Sequence, residues 1–161
     1  MKNIRFFIDE MLFNLAQYLR VMGYDCFFIK NMNDNDIINK ISEENKINRI
    51  IFITADKELY NRARKYAKAF LLKPDKNGFS NGLKKLIRTF KLTIKKKTRC
   101  PKCNSILIKK TFDELTKVEK KQAKDVIKNI RTFYICKKCK KVYWRATHWH
   151  AMIKRINALA R

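Results

Sequence analysis

Acidic residues are scarce in this chain: 14 Asp+Glu stand against 39 Lys+Arg in 161 residues, a formal net charge of +25. Long hydrophobic runs are missing too. No apolar stretch approaches the roughly 20 residues that cross a bilayer, so no membrane partner is expected. The opening MKNIRFFIDEML has neither a long apolar core nor a small-residue cleavage site, so no secretory signal is read in it and a soluble, cytoplasmic protein is expected. Global disorder is excluded as well, because a hydrophobic fraction of 46% is enough for a packed core. Histidine is down to two residues, and no His- or Cys-based nucleophile stands out.

The cations that are present cluster towards the end. Residues 1–90 carry 17 Lys+Arg and 10 Asp+Glu, whereas residues 91–161 carry 22 and 4. A surface this positive repels itself unless it meets a polyanion, and nucleic acid is the commonest one. A solvated lysine-rich surface is the plainer reading of the same composition.

The front of the chain alternates between two hydrophobic periods. NIRFFI (3–8), DCFFI (25–29), RIIFIT (49–54) and AFLL (69–72) read as buried strands. Between them, MLFNLAQYLRVM (11–22), NDNDIINKISEEN (33–45) and KELYNRARKYA (57–67) read as amphipathic helices, and FSNGLKKLIRTF (79–90) as a fourth. Gly23 ends the first helix. Strands and helices alternating at these lengths give an α/β domain with a parallel sheet flanked by helices. The character changes after KLTIKKK, so a boundary is placed between a first domain, 1–95, and a basic appendage, 96–161. The appendage should hold an inserted helix that opens on a capping box, Thr116 with Glu119, and a short amphipathic helix at its end.

Cys100, Cys103, Cys136 and Cys139 form two Cys-x-x-Cys knuckles with 32 residues between the pairs. Each knuckle can present two thiolates to a tetrahedral Zn²⁺, and a cytosolic chain would not keep four such cysteines for disulfides. Four protein ligands leave no open position, so the expected zinc is structural: it closes a ribbon too small to fold on its own core. Cys26, in an apolar strand, reads as a small buried residue.

The few carboxylates of the front domain fall where strands stop. Asp9 follows the first strand, Asp56 follows the third, and Asp34 and Asp36 open the second helix. In parallel sheets ligands bind beyond the carboxyl ends of the strands. If the first and third strands are neighbours, Asp9 and Asp56 converge, with Asp34 or Asp36 as a third carboxylate and Glu58 or Glu10 as outer candidates. Clustered carboxylates call for a hard cation such as Mg²⁺ or Mn²⁺, which can position a phosphodiester and activate water. Helix capping explains the same positions, since aspartate is among the best N-caps.

The stretches IDEML and LAQYLRVMGYD within 8–25, ITADKEL (53–59), RCPKCN (99–104) and CKKCKKVYWRATHW (136–149) resemble the Mut-seven C-terminal RNase domain family over nearly the whole chain. The resemblance implies a PIN-like nuclease domain followed by a small C-terminal zinc ribbon. It implies catalytic metal-binding roles for Asp9, for Asp36 or Asp34, and for Asp56 within Thr54-Ala55-Asp56. Phe13 stands where the family usually has Gly, Ala55 where Arg is common and Ala146 where Gly is usual. The expected function is a metal-dependent endoribonuclease whose ribbon grips RNA. Arg99, Lys137, Lys138, Lys140, Lys141 and Arg145 would contact phosphates, and Tyr143 and Trp144 would stack on bases unless the ribbon buries them. Arg62, Arg64, Lys65 and Lys68 would form a rim of the same surface. The alternatives are a non-catalytic RNA-binding module on a degenerate PIN-like scaffold, associated with tRNA or rRNA, and a DNA-directed nuclease or regulator. The target RNA and the oligomeric state are not encoded in any motif.

Overall fold

The computed structural model describes residues 4–73, 80–126, 130–144, 153–154 and 156–158. Four parallel strands, β1 (Ile4–Ile8), β2 (Asp25–Phe28), β3 (Arg49–Thr54) and β4 (Lys68–Leu71), lie in the order β2-β1-β3-β4. Helices α1 (Phe13–Val21), α2 (Asp34–Ile47), α3 (Lys57–Ala63) and α4 (Ser80–Phe90) connect or follow them. A single 3-10 turn, Glu10–Leu12, leads into α1.

Strand side chains alternate between two cores, as the period of two demands. Phe6, Ile8, Ile51 and Ile53 meet Leu15 and Leu19 of α1 and Leu83, Leu86 and Ile87 of α4 on one face. Phe7, Ile50 and Phe52 meet Ile37, Ile38 and Ile41 of α2 and Leu59 and Ala63 of α3 on the other. The sheet is therefore covered on both sides, which explains why β3 reads as an unbroken apolar run. The chain steps outward from β1 to β2, then returns past β1 to β3. That reversal leaves a crevice at the carboxyl ends of β1 and β3.

The appendage contributes a second, antiparallel sheet: β5 (Ile108–Thr111), β6 (Thr132–Cys136) and β7 (Lys141–Trp144), in that order. The expected inserted helix is α5 (Lys117–Ala123), with Thr116 and Glu119 forming both halves of its capping box. Phe133, Ile135 and Val142 pack under α5 with Leu115 and Ala123.

Packing crosses the boundary drawn near residue 95. Ile156, from beyond that boundary, is buried with Leu92 in the α1–α4 core. The Met22 carbonyl accepts from the Lys95 N–H at 2.9 Å, and the Arg20 carbonyl accepts from the Arg99 N–H at 3.0 Å. Gly23 allows this approach. Its φ is +95°, and an added Cβ would fall on the Lys97 carbonyl oxygen and 2.8 Å from the Lys95 Cβ. Gly23→Ala is therefore expected to cost about 2 kcal/mol or more, read as a lower urea midpoint. An unchanged midpoint would mean that residues 95–97 do not hold this position.

Candidate active site and metal centre

Side-by-side pairing of β1 and β3 releases Asp9 and Asp56 at the same edge. The Asp9 N–H donates to the Ile53 carbonyl at 3.0 Å, carrying the ladder one residue past the strand. Asp9 is only 8% exposed. Its Oδ1 accepts from the Glu10 N–H at 2.7 Å and its Oδ2 from the Thr54 hydroxyl at 2.6 Å. Thr54, wholly buried, accepts in turn from the Asp56 N–H at 3.0 Å. One threonine thus ties both aspartates together.

Asp56 caps α3 through Oδ1, which accepts from the Leu59 N–H at 2.8 Å. That bond occupies one carboxylate oxygen and leaves the other for the crevice. Capping and ligand binding are therefore compatible at this position. Asp9, Asp34 and Asp56 all line a cleft of about 200 Å³, together with Glu10, Met32 and Ile37. Arg62 stands at its rim, with Nη1 3.5 Å from Asp34 Oδ2.

Asp36 and Glu58 are not part of that lining. The N-cap of α2 is Asn33, whose Nδ2 donates to Asp36 Oδ2 at 2.7 Å while its Oδ1 accepts from the Asp36 N–H at 2.9 Å. Glu58 is exposed in the first turn of α3. Asp34, rather than Asp36, thus shares the lining of this cleft with Asp9 and Asp56. The sequence carries a signal for this choice: Asp34, itself exposed, lies three and four residues before Ile37 and Ile38 and so on the same side of α2 as its buried stripe. Among the described residues, no trio of acidic groups is gathered as closely as the cysteines.

The four cysteine Sγ atoms all lie within 4.8 Å of one another. Cys103 and Cys136 are 3.4 Å apart and Cys100 and Cys139 are 4.0 Å apart. These distances bracket the edge of about 3.8 Å that a tetrahedron of Zn–S bonds near 2.3 Å requires. The donor set fits a metal ion such as zinc. Both knuckles close in the same way. Asn104 and Lys140, each the residue after a second cysteine, adopt φ of 68° and 56°. Their N–H groups donate to the Cys100 and Cys136 carbonyls at 2.9 and 2.8 Å.

Charge within this group is uneven. Burial opposes ionisation of Cys103, but hydrogen bonds from Ser105, Cys139 and Cys136 outweigh it and bring its thiol down to about 6. Cys139 is pushed up to about 12, first by its bond to Cys103, then by burial and the neighbouring Cys100. Four thiolates in one pocket repel one another unless a cation sits between them. The Tyr143 hydroxyl lies 3.3 Å from Cys100 Sγ, and burial followed by that contact raises its pKa and keeps the phenol protonated. Cys26, fully buried, is held up at about 12 by desolvation.

Sequence reasoning missed the residues that dock the first knuckle on the edge strand β2. Arg20 is 4% exposed. Its Nε donates to the Cys26 carbonyl at 3.0 Å, and its Nη1 donates to the Pro101 and Lys102 carbonyls at 2.8 and 3.1 Å. Asn104 Oδ1 accepts from the Cys26 N–H at 3.1 Å, and its Nδ2 donates to Asp25 Oδ1 at 2.8 Å. Arg20 sits beside Leu19 in a helical stripe, and a long cationic side chain there reads as solvent-facing.

The expected RNA contacts separate into two groups. Lys137, Lys138, Lys140 and Lys141 are exposed around the second knuckle. Arg99 is committed elsewhere: Nη1 donates to the Asn104 carbonyl at 2.9 Å, and Nη2 lies 3.7 Å from Asp25 Oδ2. Tyr143 packs against the cysteines and Trp144 against the α5 core, so both are half-buried. Arg145, like Ala146, His148 and His150, lies outside the described residues. In the expected rim, Arg62 pairs with Asp34. Arg64 lies over the Tyr60 ring and Lys68 over the Phe90 ring.

Among the described residues, no helix is long and apolar enough to cross a membrane. Residues 4–156 match the family model described as Mut7-C RNAse domain. Neither a curated protein nor a solved structure matches the chain.

Proposed function

The chain belongs to the Mut7-C RNAse domain family, and from that membership we propose that it is a metal-dependent endoribonuclease acting at the Asp9–Asp34–Asp56 cleft. The observation that carries this reading is the convergence of three carboxylates from three separate elements on one crevice, at the reversal point of a parallel sheet. The α/β body would correspond to a PIN-like nuclease domain, and the cysteine site to a structural zinc that closes a ribbon.

A Mg²⁺ or Mn²⁺ ion bound in the cleft would supply Lewis acidity for phosphodiester hydrolysis. The chain's own residues prepare the place. Asp9 is held from two sides, by the Glu10 N–H and the Thr54 hydroxyl, so its carboxylate is oriented before any substrate arrives. The α3 N-terminus fixes Asp56. Arg62 offers a guanidinium that can exchange Asp34 for a phosphate oxygen. Burial of Asp9 and the apolar walls of Met32 and Ile37 limit water at the inner end.

The test is cleavage of a mixed RNA pool by zinc-loaded protein, with and without added Mn²⁺. Fragments should appear only with the added ion. Tight RNA binding with no cleavage under either condition would instead leave an RNA-binding module. Binding itself should be electrostatic, through the four exposed lysines of the second knuckle. Each phosphate contact contributes about −0.7 to the log–log salt slope for a single strand. Replacing Lys137, Lys138, Lys140 and Lys141 by Gln should therefore flatten the slope by up to about 3. A slope unchanged in that variant would place the RNA on another surface.

A further inference from the structure

We propose that a second subsite adjoins the carboxylate cleft and seats an unpaired nucleobase of the strand being cut, stacked on Phe13 beside Phe28. The proposal rests on the nuclease reading and extends it to the substrate: a single-stranded segment, not a duplex.

An open depression of about 510 Å³ is lined by Glu10, Met11, Phe13, Phe28 and Lys30. Its size lies within the roughly 300–1,000 Å³ typical of small-ligand sites. Glu10 and Met11 line the carboxylate cleft as well, so the two hollows share a wall. All five residues sit at or beyond the carboxyl ends of β1 and β2. Met11 lies in the turn after Asp9, Phe13 opens α1, Phe28 ends β2 and Lys30 follows it.

Apart from the carboxylate of Glu10 and the ammonium of Lys30, the lining of this depression is apolar. Met11 is 68% exposed and Phe13 is 40% exposed. The Phe13 and Phe28 rings meet edge to face, with centroids 4.9 Å apart, which holds the Phe13 ring and leaves part of its surface open. An aromatic face with a flexible thioether beside it suits a flat heteroaromatic ring. The exposed Lys30 supplies a positive charge for a neighbouring phosphate. A base in a duplex has both faces stacked already, so only an unpaired base can use Phe13. The shared wall makes that base a neighbour of the phosphodiester in the cleft.

The test uses zinc-loaded full-length protein and a short single-stranded oligoribonucleotide carrying one 2-aminopurine, read by fluorescence without Mg²⁺ or Mn²⁺. The wild type should change the probe's emission, and Phe13→Ala should weaken binding about tenfold or more. Phe13→Trp should restore it, and affinity for a duplex of equal charge should be the same in all three. With Mn²⁺ present, Phe13→Ala should raise KM for single strands while kcat stays near the wild-type value. Equal losses for single strand and duplex, no loss in Phe13→Ala, or no restoration by Trp would overturn the subsite. A Phe13-dependent dimer in sedimentation would overturn it too, because a second copy would then cover this face. The two readings fail separately. Phe13-dependent probe binding with no cleavage removes the nuclease and keeps the stacking site, whereas cleavage indifferent to Phe13 does the reverse.

Discussion

With zinc in the four-cysteine site as proposed, removing it will loosen the parallel sheet as well as the ribbon. Structural zinc sites of this kind hold about 10 kcal/mol or more of apparent binding free energy, so the Cys100→Ser/Cys136→Ser variant should lose the folded ribbon. The effect should not stop there. The first knuckle supplies the Pro101 and Lys102 carbonyls that pair with buried Arg20, and the Asn104 side chain that caps the open edge of β2. Once the knuckle unravels, a guanidinium inside the first domain loses two of its three acceptors. A buried charge stripped of its partners costs several kcal/mol. Hydrogen exchange should therefore show reduced protection for the β1 and β3 amides in the cysteine variant, together with loss of protection in β6. Sheet amides protected as in the zinc-loaded wild type would show that the two parts fold independently. Acid should act in the same direction. Zinc binds thiolates, so protons compete with it for all four sulfurs: lowering the pH weakens zinc binding, and raising the pH restores it.

Asp56→Asn will separate capping from metal binding. Asparagine caps a helix about as well as aspartate, and the bond from the Leu59 N–H can be kept by the amide oxygen. The denaturation midpoint should thus shift by no more than the helix-dipole contribution of about 0.3–1 kcal/mol. The cleft, however, loses one of its negative charges. Mn²⁺-dependent cleavage should fall by about two orders of magnitude or more, the scale seen when one member of a group acting together is removed. Asp9→Asn should do the same, and the double variant should lose little beyond either single one. Asp34→Asn should reduce cleavage and Asp36→Asn should leave it near the wild-type value, following the lining of the cleft. Full cleavage by a stable Asp56→Asn protein would reduce this aspartate to a cap.

The elements themselves were legible because hydrophobic period is local. RIIFIT has no polar interruption, and Ile37, Ile38 and Ile41 keep helical spacing. Strand order was not legible. It depends on which face each connecting helix takes, and only the observed pairing of β1 with β3 places Asp9 against Asp56. The choice between Asp34 and Asp36 was within reach of the pattern, because a two-residue step turns the helix by about 200°. Pairings distant in sequence were out of reach. Arg99 counts as one more cation until Asp25, 74 positions earlier in the numbering, is seen beside it. Arg20 looks solvated until the knuckle carbonyls arrive from residues 101 and 102. Tyr143 and Trp144 lie on opposite faces of β7, and both are half-buried because the cysteines cover one face and α5 the other.

The account's central claim is that the carboxylate cleft holds a divalent cation, and counting that cation tests it most directly. Mn²⁺ should be titrated into zinc-loaded protein with the bound ion followed by electron paramagnetic resonance, in the wild type and in Asp9→Asn. The account predicts a saturable Mn²⁺ site in the wild type, distinct from the zinc, that is lost or weakened at least about tenfold in Asp9→Asn. Equal Mn²⁺ binding by the two proteins would contradict it.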